Sequence, residues 1–117
     1  MRFVKIVVVL VFACIGLVAC FGKGDNTFVI AESKTYEATL FRQNCAICHG
    51  PEGDGKTLDD GTIVPSLRKG EFKTSTSDQI YKQIADGGNG MLPFRRQLTD
   101  REIKLLVDLV SRDLRSK

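Results

Sequence analysis

The sequence predicts an all-α single domain, and three observations carry the prediction. Apolar residues after position 33 recur at helical spacing in three separate stretches, each bounded by capping or stop residues. No alternating run of β-branched residues follows residue 33. The segments between the helical stretches are rich in glycine and proline, the composition of turns and irregular loops.

Residues 1–19 precede that domain and have a different character. Arg2 and Lys5 stand before Ile6 to Val18, thirteen residues without a charge. A basic start followed by an apolar run shorter than the roughly 20 residues of a membrane span is the design of a signal peptide, favoured over an uncleaved anchor. The run ends in Leu17-Val18-Ala19-Cys20, which resembles the lipobox of bacterial lipoproteins, in which the cysteine is lipidated and becomes the first mature residue. The competing cut by ordinary signal peptidase fits Cys20-Phe21-Gly22 better than a site ending at Ala19, where Leu17 would take a small-residue position. Cys14, inside the apolar run, needs no role. Residues 20–32 contain Gly22-Lys23-Gly24-Asp25-Asn26 without helical periodicity and are expected to form a flexible, lipid-anchored tether.

The domain itself is expected over residues 33–117. A first helix starts near Ser33 or Thr35, carries Tyr36, Leu40 and Phe41 on one stripe, runs into Cys45 on the same side and stops at Gly50-Pro51. Residues 50–72 hold five of the eleven glycines with Pro51 and Pro65, and read as a long Ω-type loop rather than a sheet. Its acidic members Glu52, Asp54, Asp59 and Asp60 lack the spacing of an EF-hand and are read as solvated carboxylates. A second helix, capped by Ser77, carries Ile80, Tyr81, Ile84 and Ala85 to Gly87-Gly88. The third opens on a capping box, Thr99-Asp100-Arg101-Glu102, and presents Ile103, Leu106, Val107, Val110 and Leu114 on one face.

One motif carries chemistry. In Cys45-Ala46-Ile47-Cys48-His49 the two thiols and the imidazole fall at i, i+3 and i+4, one face of a helix. The thiols can then form thioethers to the two vinyl groups of a haem while the imidazole reaches its iron. A structural zinc site needs four nitrogen or sulfur ligands, and His49 is the only histidine. A thioredoxin-like dithiol needs a βαβ pattern that is absent here, and a plain disulfide leaves the histidine unexplained. Haem c is therefore the expected cofactor, and a covalently bound macrocycle offers a domain this small an apolar surface to pack on. Met91, the only methionine after Met1, lies in Gly90-Met91-Leu92-Pro93-Phe94. Its thioether is a soft ligand that favours reduced iron, and the flanking glycines and proline shape a loop around it; the alternative is a methionine that fills the core.

Removing Arg2 and Lys5 takes the formal charge from +3 to +1, which points away from nucleic acid. The pairs Arg95-Arg96 and Arg68-Lys69 are either solvated or available to an acidic redox partner or a haem propionate.

Together these residues resemble the class I c-type cytochromes, of the small monohaem kind also found as haem domains of oxidase and dehydrogenase subunits. The resemblance covers about residues 33–115 and rests on C-A-I-C-H-G at 45–50, V-P-S-L at 64–67, G-M-L-P-F at 90–94 and L-T-D-R-E-I at 98–103. It implies the cytochrome c fold, with three main helices and long loops wrapped around one haem attached outside the bacterial cytoplasm. It also assigns Pro65 the carbonyl that receives the proximal histidine's free N–H. Two departures stand out. Leu92 replaces a frequent proline after the methionine, which leaves that loop less constrained, and Val107-Asp108-Leu109-Val110 lacks the usual aromatic where the last helix crosses the first.

The expected protein is a monohaem carrier of single electrons on the periplasmic side of a bacterial membrane. Cys45 and Cys48 tether the haem, His49 and Met91 ligate iron, Pro65 orients His49, and Cys20 holds the lipid. Its partners are a redox donor and acceptor, with a membrane oxidase or dehydrogenase as a candidate, and no catalytic group is expected because the only histidine is committed to iron. Rival readings are a haem-based sensor or peroxidase-like enzyme in which Met91 leaves the iron, and a dedicated haem subunit of a membrane complex.

Overall fold

The structure, a computed structural model, describes residues 1, 3–6 and 27–115. Cys14, Cys20, the apolar run from residue 7 onward and the first part of the tether lie outside the described residues. Among the described residues no helix is long and apolar enough to cross a membrane.

Helix α1 (Tyr36–Asn44) starts where the Thr35 hydroxyl accepts the amide N–H of Ala38, satisfying a donor that the first turn leaves unpaired. It stops one residue before the expected haem motif. Cys45 departs to φ −113°, Asn44 turns its side-chain amide back onto the Leu40 carbonyl at 2.9 Å, and a separate turn, α2 (Ala46–His49), follows. The single helix expected up to Gly50 is therefore two pieces. Gly50 ends the second at φ 81°, a conformation that glycine adopts without strain.

The glycine-rich region is not entirely loop. Lys56–Thr57 (β1) pairs antiparallel with Ile63–Val64 (β2), Lys56 opposite Val64 and Thr57 opposite Ile63. Two residues are too few to display alternation, which is why no strand is legible in the sequence. Helix α3 (Ser77–Asp86) is capped by Thr76 rather than Ser77: the Thr76 hydroxyl accepts from Gln79 N, and the Gln79 side chain accepts from Thr76 N. Helix α4 (Asp100–Asp108) begins with the expected reciprocal pair, Thr99 and Glu102.

Beyond Asp108 the helix widens into a π-helical stretch, Leu109–Leu114. The wider turn buries Leu109, which the stripe of period 3.6 omits, together with the expected Val110 and Leu114. α1 and α3 both pack on α4, and the core gathers Phe41, Ile80, Ile84, Ile103 and Leu106 between them. Arg115 closes the far end, lying 3.8 Å over the Phe72 ring and donating to the Thr74 carbonyl at 2.5 Å.

The domain begins earlier than expected. Ile30, assigned to the tether by its neighbourhood in sequence, is fully buried in the core, and Phe28 packs against the same cluster. An apolar side chain lost from water is worth roughly 1.5–3 kcal/mol, enough to fix this short segment when its backbone is also bonded. The ordered domain therefore includes residues 28–32.

Candidate functional site

The turn after α1 brings three expected residues together. Cys48 N and His49 N both donate to the Cys45 carbonyl, at 3.2 and 2.9 Å, so Cys45, Cys48 and His49 share one turn. Both thiols are free; Cys45 is half-buried and Cys48 exposed. Burial, and after it the neighbouring Cys48, push the Cys45 thiol up to about 12. Cys45 is thus a neutral thiol at ordinary pH, disfavoured as a thiolate and hence as a partner in disulfide exchange.

His49 is held from its other side. Gly55 N donates to the His49 carbonyl at 2.9 Å, and Leu67 N to the Gly53 carbonyl at 2.8 Å, so the chain folds back and carries Pro65 to the imidazole. Gly55 makes that approach possible: a Cβ there would lie 2.4 Å from the Val64 oxygen and 2.8 Å from the Pro65 carbonyl carbon. Burial pulls the His49 imidazole below its ordinary range, and the Pro65 carbonyl opposes that shift by attracting the ring N–H. The attraction falls short of full hydrogen-bond geometry. Among the described residues, His49 Nδ1 is the buried side-chain nitrogen or oxygen left without a partner.

Met91 comes from the other end of the fold. Gly88-Asn89-Gly90-Met91 forms a tight turn in which Gly88 and Met91 exchange both backbone hydrogen bonds, at 2.9 and 3.0 Å. Asn89 at φ 53° and Gly90 at φ 86° supply the two positive dihedrals of a type I′ turn, the Asn-Gly signature. Phe94 N and Arg95 N then donate to the carbonyls of Ile84 and Ala85, tying the loop to the end of α3. The side chain of Met91 is half-buried against the core.

These residues fit a covalently held haem. Two free thiols stand within one turn of an imidazole that interacts with the Pro65 carbonyl and whose Nδ1 is buried without a hydrogen-bond partner, and a thioether is presented from a separate, tightly turned loop. That donor set is one of sulfur and imidazole, suited to iron.

A second group of polar residues carries no signature in the sequence. Glu52, expected to be solvated, accepts from Ile30 N at 2.7 Å and Ala31 N at 2.8 Å and pairs with Arg68 at 3.1 Å. Arg68, offered as a docking or propionate residue, is thereby committed inside the domain. Arg95 pairs with Asp86 at 2.7 Å on the surface. The partners of Glu52 lie 16 to 22 residues away, so no local pattern announces them.

Comparison with known proteins bears on the same residues. The family model for cytochrome C oxidase, cbb3-type, subunit III matches residues 36–110, a stretch that includes Cys45, Cys48, His49, Pro65 and Met91. Among solved structures, the KustC0563 c-type cytochrome aligns with a TM-score of 0.54 and 33% sequence identity, covering 62% of this chain and 90% of that chain. The search of curated proteins finds no match.

Proposed function

This chain belongs to the family of cytochrome c oxidase, cbb3-type, subunit III, a class I c-type cytochrome family, and from that membership we propose that it is a monohaem carrier of single electrons. The family implies covalently bound haem c and haem-based electron transfer. When bound, haem supplies a one-electron iron couple, and the protein's part is to hold, orient and shield it.

In this reading Cys45 and Cys48 would hold the haem through thioether bonds to its two vinyl groups. His49 and Met91 would be the residues that ligate its iron. The Pro65 carbonyl receives the N–H of His49 Nδ1, which fixes the ring and strengthens the opposite nitrogen as a donor. The Met91 thioether favours reduced iron and so raises the potential. The observation that carries the reading is the buried, unpartnered His49 Nδ1 beside Pro65, in the same turn as two free thiols.

The family name also favours a second reading: a haem subunit of a membrane oxidase instead of a free shuttle. The two differ in whether the protein co-purifies with a larger redox complex. The proposed location is the periplasmic side of a bacterial membrane, with lipid at Cys20, supported by Leu17-Val18-Ala19-Cys20.

The test is a denaturing gel stained for haem, followed by spectra of the purified protein with reductant and carbon monoxide. Haem colour at the protein band, lost on changing Cys45 and Cys48 to Ala, is the expected result. Ferrous protein that binds carbon monoxide slowly or not at all supports the carrier. Haem that extracts into acid-acetone overturns the covalent assignment, and rapid carbon monoxide binding to high-spin iron overturns the carrier assignment.

A further inference from the structure

We propose that Gln83 is a positioning residue for the Met91 thioether, holding its sulfur with an amide N–H and thereby raising the reduction potential; this rests on Met91 being an axial ligand. Gln83 lies in the last turn of α3, off the apolar stripe, where a glutamine would by default point into water. Here its whole side-chain amide is engaged within one four-residue turn. Nε2 donates to the Gly88 carbonyl at 2.8 Å and to Met91 Sδ at 3.8 Å, while Oε1 accepts from Asn89 Nδ2 at 3.4 Å. The orientation of the amide follows from Gly88: a carbonyl can only accept, so the nitrogen end must face the loop. The two hydrogens of that nitrogen account for the two contacts, one to oxygen and one to sulfur, whose larger radius sets the longer distance.

Two consequences follow for iron. A methionine side chain has three rotatable bonds and no shape of its own, so an N–H on its sulfur restricts where the thioether points. The same N–H draws electron density from sulfur, which makes it a poorer donor to oxidised than to reduced iron. On the reduction potential both effects act in one direction, while hold on the iron is set by the positioning. Losing the donor frees the methionine to leave the iron and removes part of the preference for the reduced state.

The experiment uses the haem-loaded full chain with Gln83→Leu, which removes donors and acceptor, and Gln83→Glu, which keeps the size and the acceptor but loses both N–H donors. Met91→Ala is measured beside them. A net hydrogen bond is worth about 0.5–1.5 kcal/mol, so both Gln83 variants should bind carbon monoxide roughly two- to tenfold faster than wild type in the ferrous state. They should also show a weaker sulfur-to-iron charge-transfer band and a lower reduction potential. Gln83 variants that lose urea resistance but keep the wild-type band, potential and carbon monoxide rate would reduce Gln83 to a brace of the turn and overturn the proposal. If Met91→Ala itself leaves band and carbon monoxide rate unchanged, the axial role of Met91 fails and the Gln83 proposal with it. A changed Met91→Ala beside unchanged Gln83 variants removes the Gln83 proposal alone.

Discussion

Arg68 and Glu52 meet 3.1 Å apart, their side chains 9% and 27% exposed, and between them they bind the start of the domain to the loop that follows His49. Glu52 receives two successive backbone N–H groups, from Ile30 and Ala31. Arg68 donates to the Phe28 carbonyl at 2.8 Å and to the backbone carbonyl of Glu52 itself. Arg42 completes the clasp from α1, donating to the carbonyls of Ile30 and Ser33. Each bond has an ionised partner, and such bonds are about twice as strong as neutral ones.

Removing both members of this clasp should cost less than the sum of removing each alone. Arg68→Met leaves the Glu52 carboxylate and the Phe28 carbonyl without their cation and should lower stability by about 2–3 kcal/mol. Glu52→Gln keeps one acceptor and should cost about 1–2 kcal/mol. The combined Arg68→Met, Glu52→Met protein should lose less than the sum of the separate Met substitutions. Urea unfolding of the haem-loaded protein measures all of these, and strict additivity would mean that the pair is not coupled.

What the sequence disclosed follows from how local each feature is. The turn Cys45 to His49 and the capping box Thr99 to Glu102 are set by residues three or four apart, and both are legible in the sequence. The cap on α3 falls on Thr76 and not on Ser77, because both are capable caps and only the reciprocal bond with Gln79 chooses between them. Leu109 escapes the period-3.6 stripe because a π-turn shifts the inward face after Asp108. The Glu52 clasp and the approach of Gly55 to Pro65 are long-range, and nothing in composition or period marks them.

Stability should fall at both extremes of pH through two pairs that join helices. Tyr36 donates to Glu102, and Tyr81 to Asp100. The Tyr36 bond, ahead of the Thr99 bonds, holds Glu102 below its ordinary carboxylate range, and the Tyr81 bond, ahead of Lys104, does the same for Asp100. A depressed carboxylate contributes stability at neutral pH that is lost as pH falls through its lowered folded value. The same bonds raise both tyrosines, whose contribution is full below their ordinary range and lost as pH rises through the raised values. Urea midpoints across pH should therefore be flat near neutrality and decline on both sides. In a Tyr36→Phe, Tyr81→Phe protein the alkaline decline should shrink, and an unchanged alkaline limb would remove these pairs as its cause. Tyr36 and Asp100 are exposed and Tyr81 and Glu102 half-buried at the surface, so the effects are small and screened by salt.

Glycines at two close approaches should differ from a glycine in open space. At Gly55 a Cβ meets the backbone carrying Pro65, and at Gly87 it would lie 2.5 Å from the Met91 oxygen and 2.8 Å from Pro93 N. Both positions also have positive φ, +79° and +71°. Gly61 has φ +85° with nothing within 4 Å, so Gly61→Ala should cost only the conformational penalty of about 1–2 kcal/mol. Gly55→Ala and Gly87→Ala add a clash with backbone and should cost about 2–4 kcal/mol each. Their spectra should separate them. Gly87→Ala should admit carbon monoxide from the Met91 side, while Gly55→Ala should disturb His49 and lower the yield of haem-loaded protein. Equal cost at all three positions would show that φ alone matters.

Anchoring at Cys20 has a geometric consequence once the domain starts at Phe28. Seven residues, 21–27, lie between the two, so the chain makes eight residue steps of at most about 3.6 Å each, and the domain would be held within roughly 29 Å of the lipid. One acyl chain binds a membrane marginally and several bind firmly, so a multiply acylated Cys20 should keep the protein in the membrane fraction through a high-salt wash. Cys20→Ser should fail to acquire lipid and accumulate as precursor or soluble protein, with its haem spectrum unchanged because the folded domain is untouched. Mass spectrometry of the mature amino terminus decides the matter. A lipid-modified Cys20 is the expected result, and an unmodified terminus at Lys23 would mean that ordinary signal peptidase cuts after Cys20-Phe21-Gly22 and releases the carrier to diffuse.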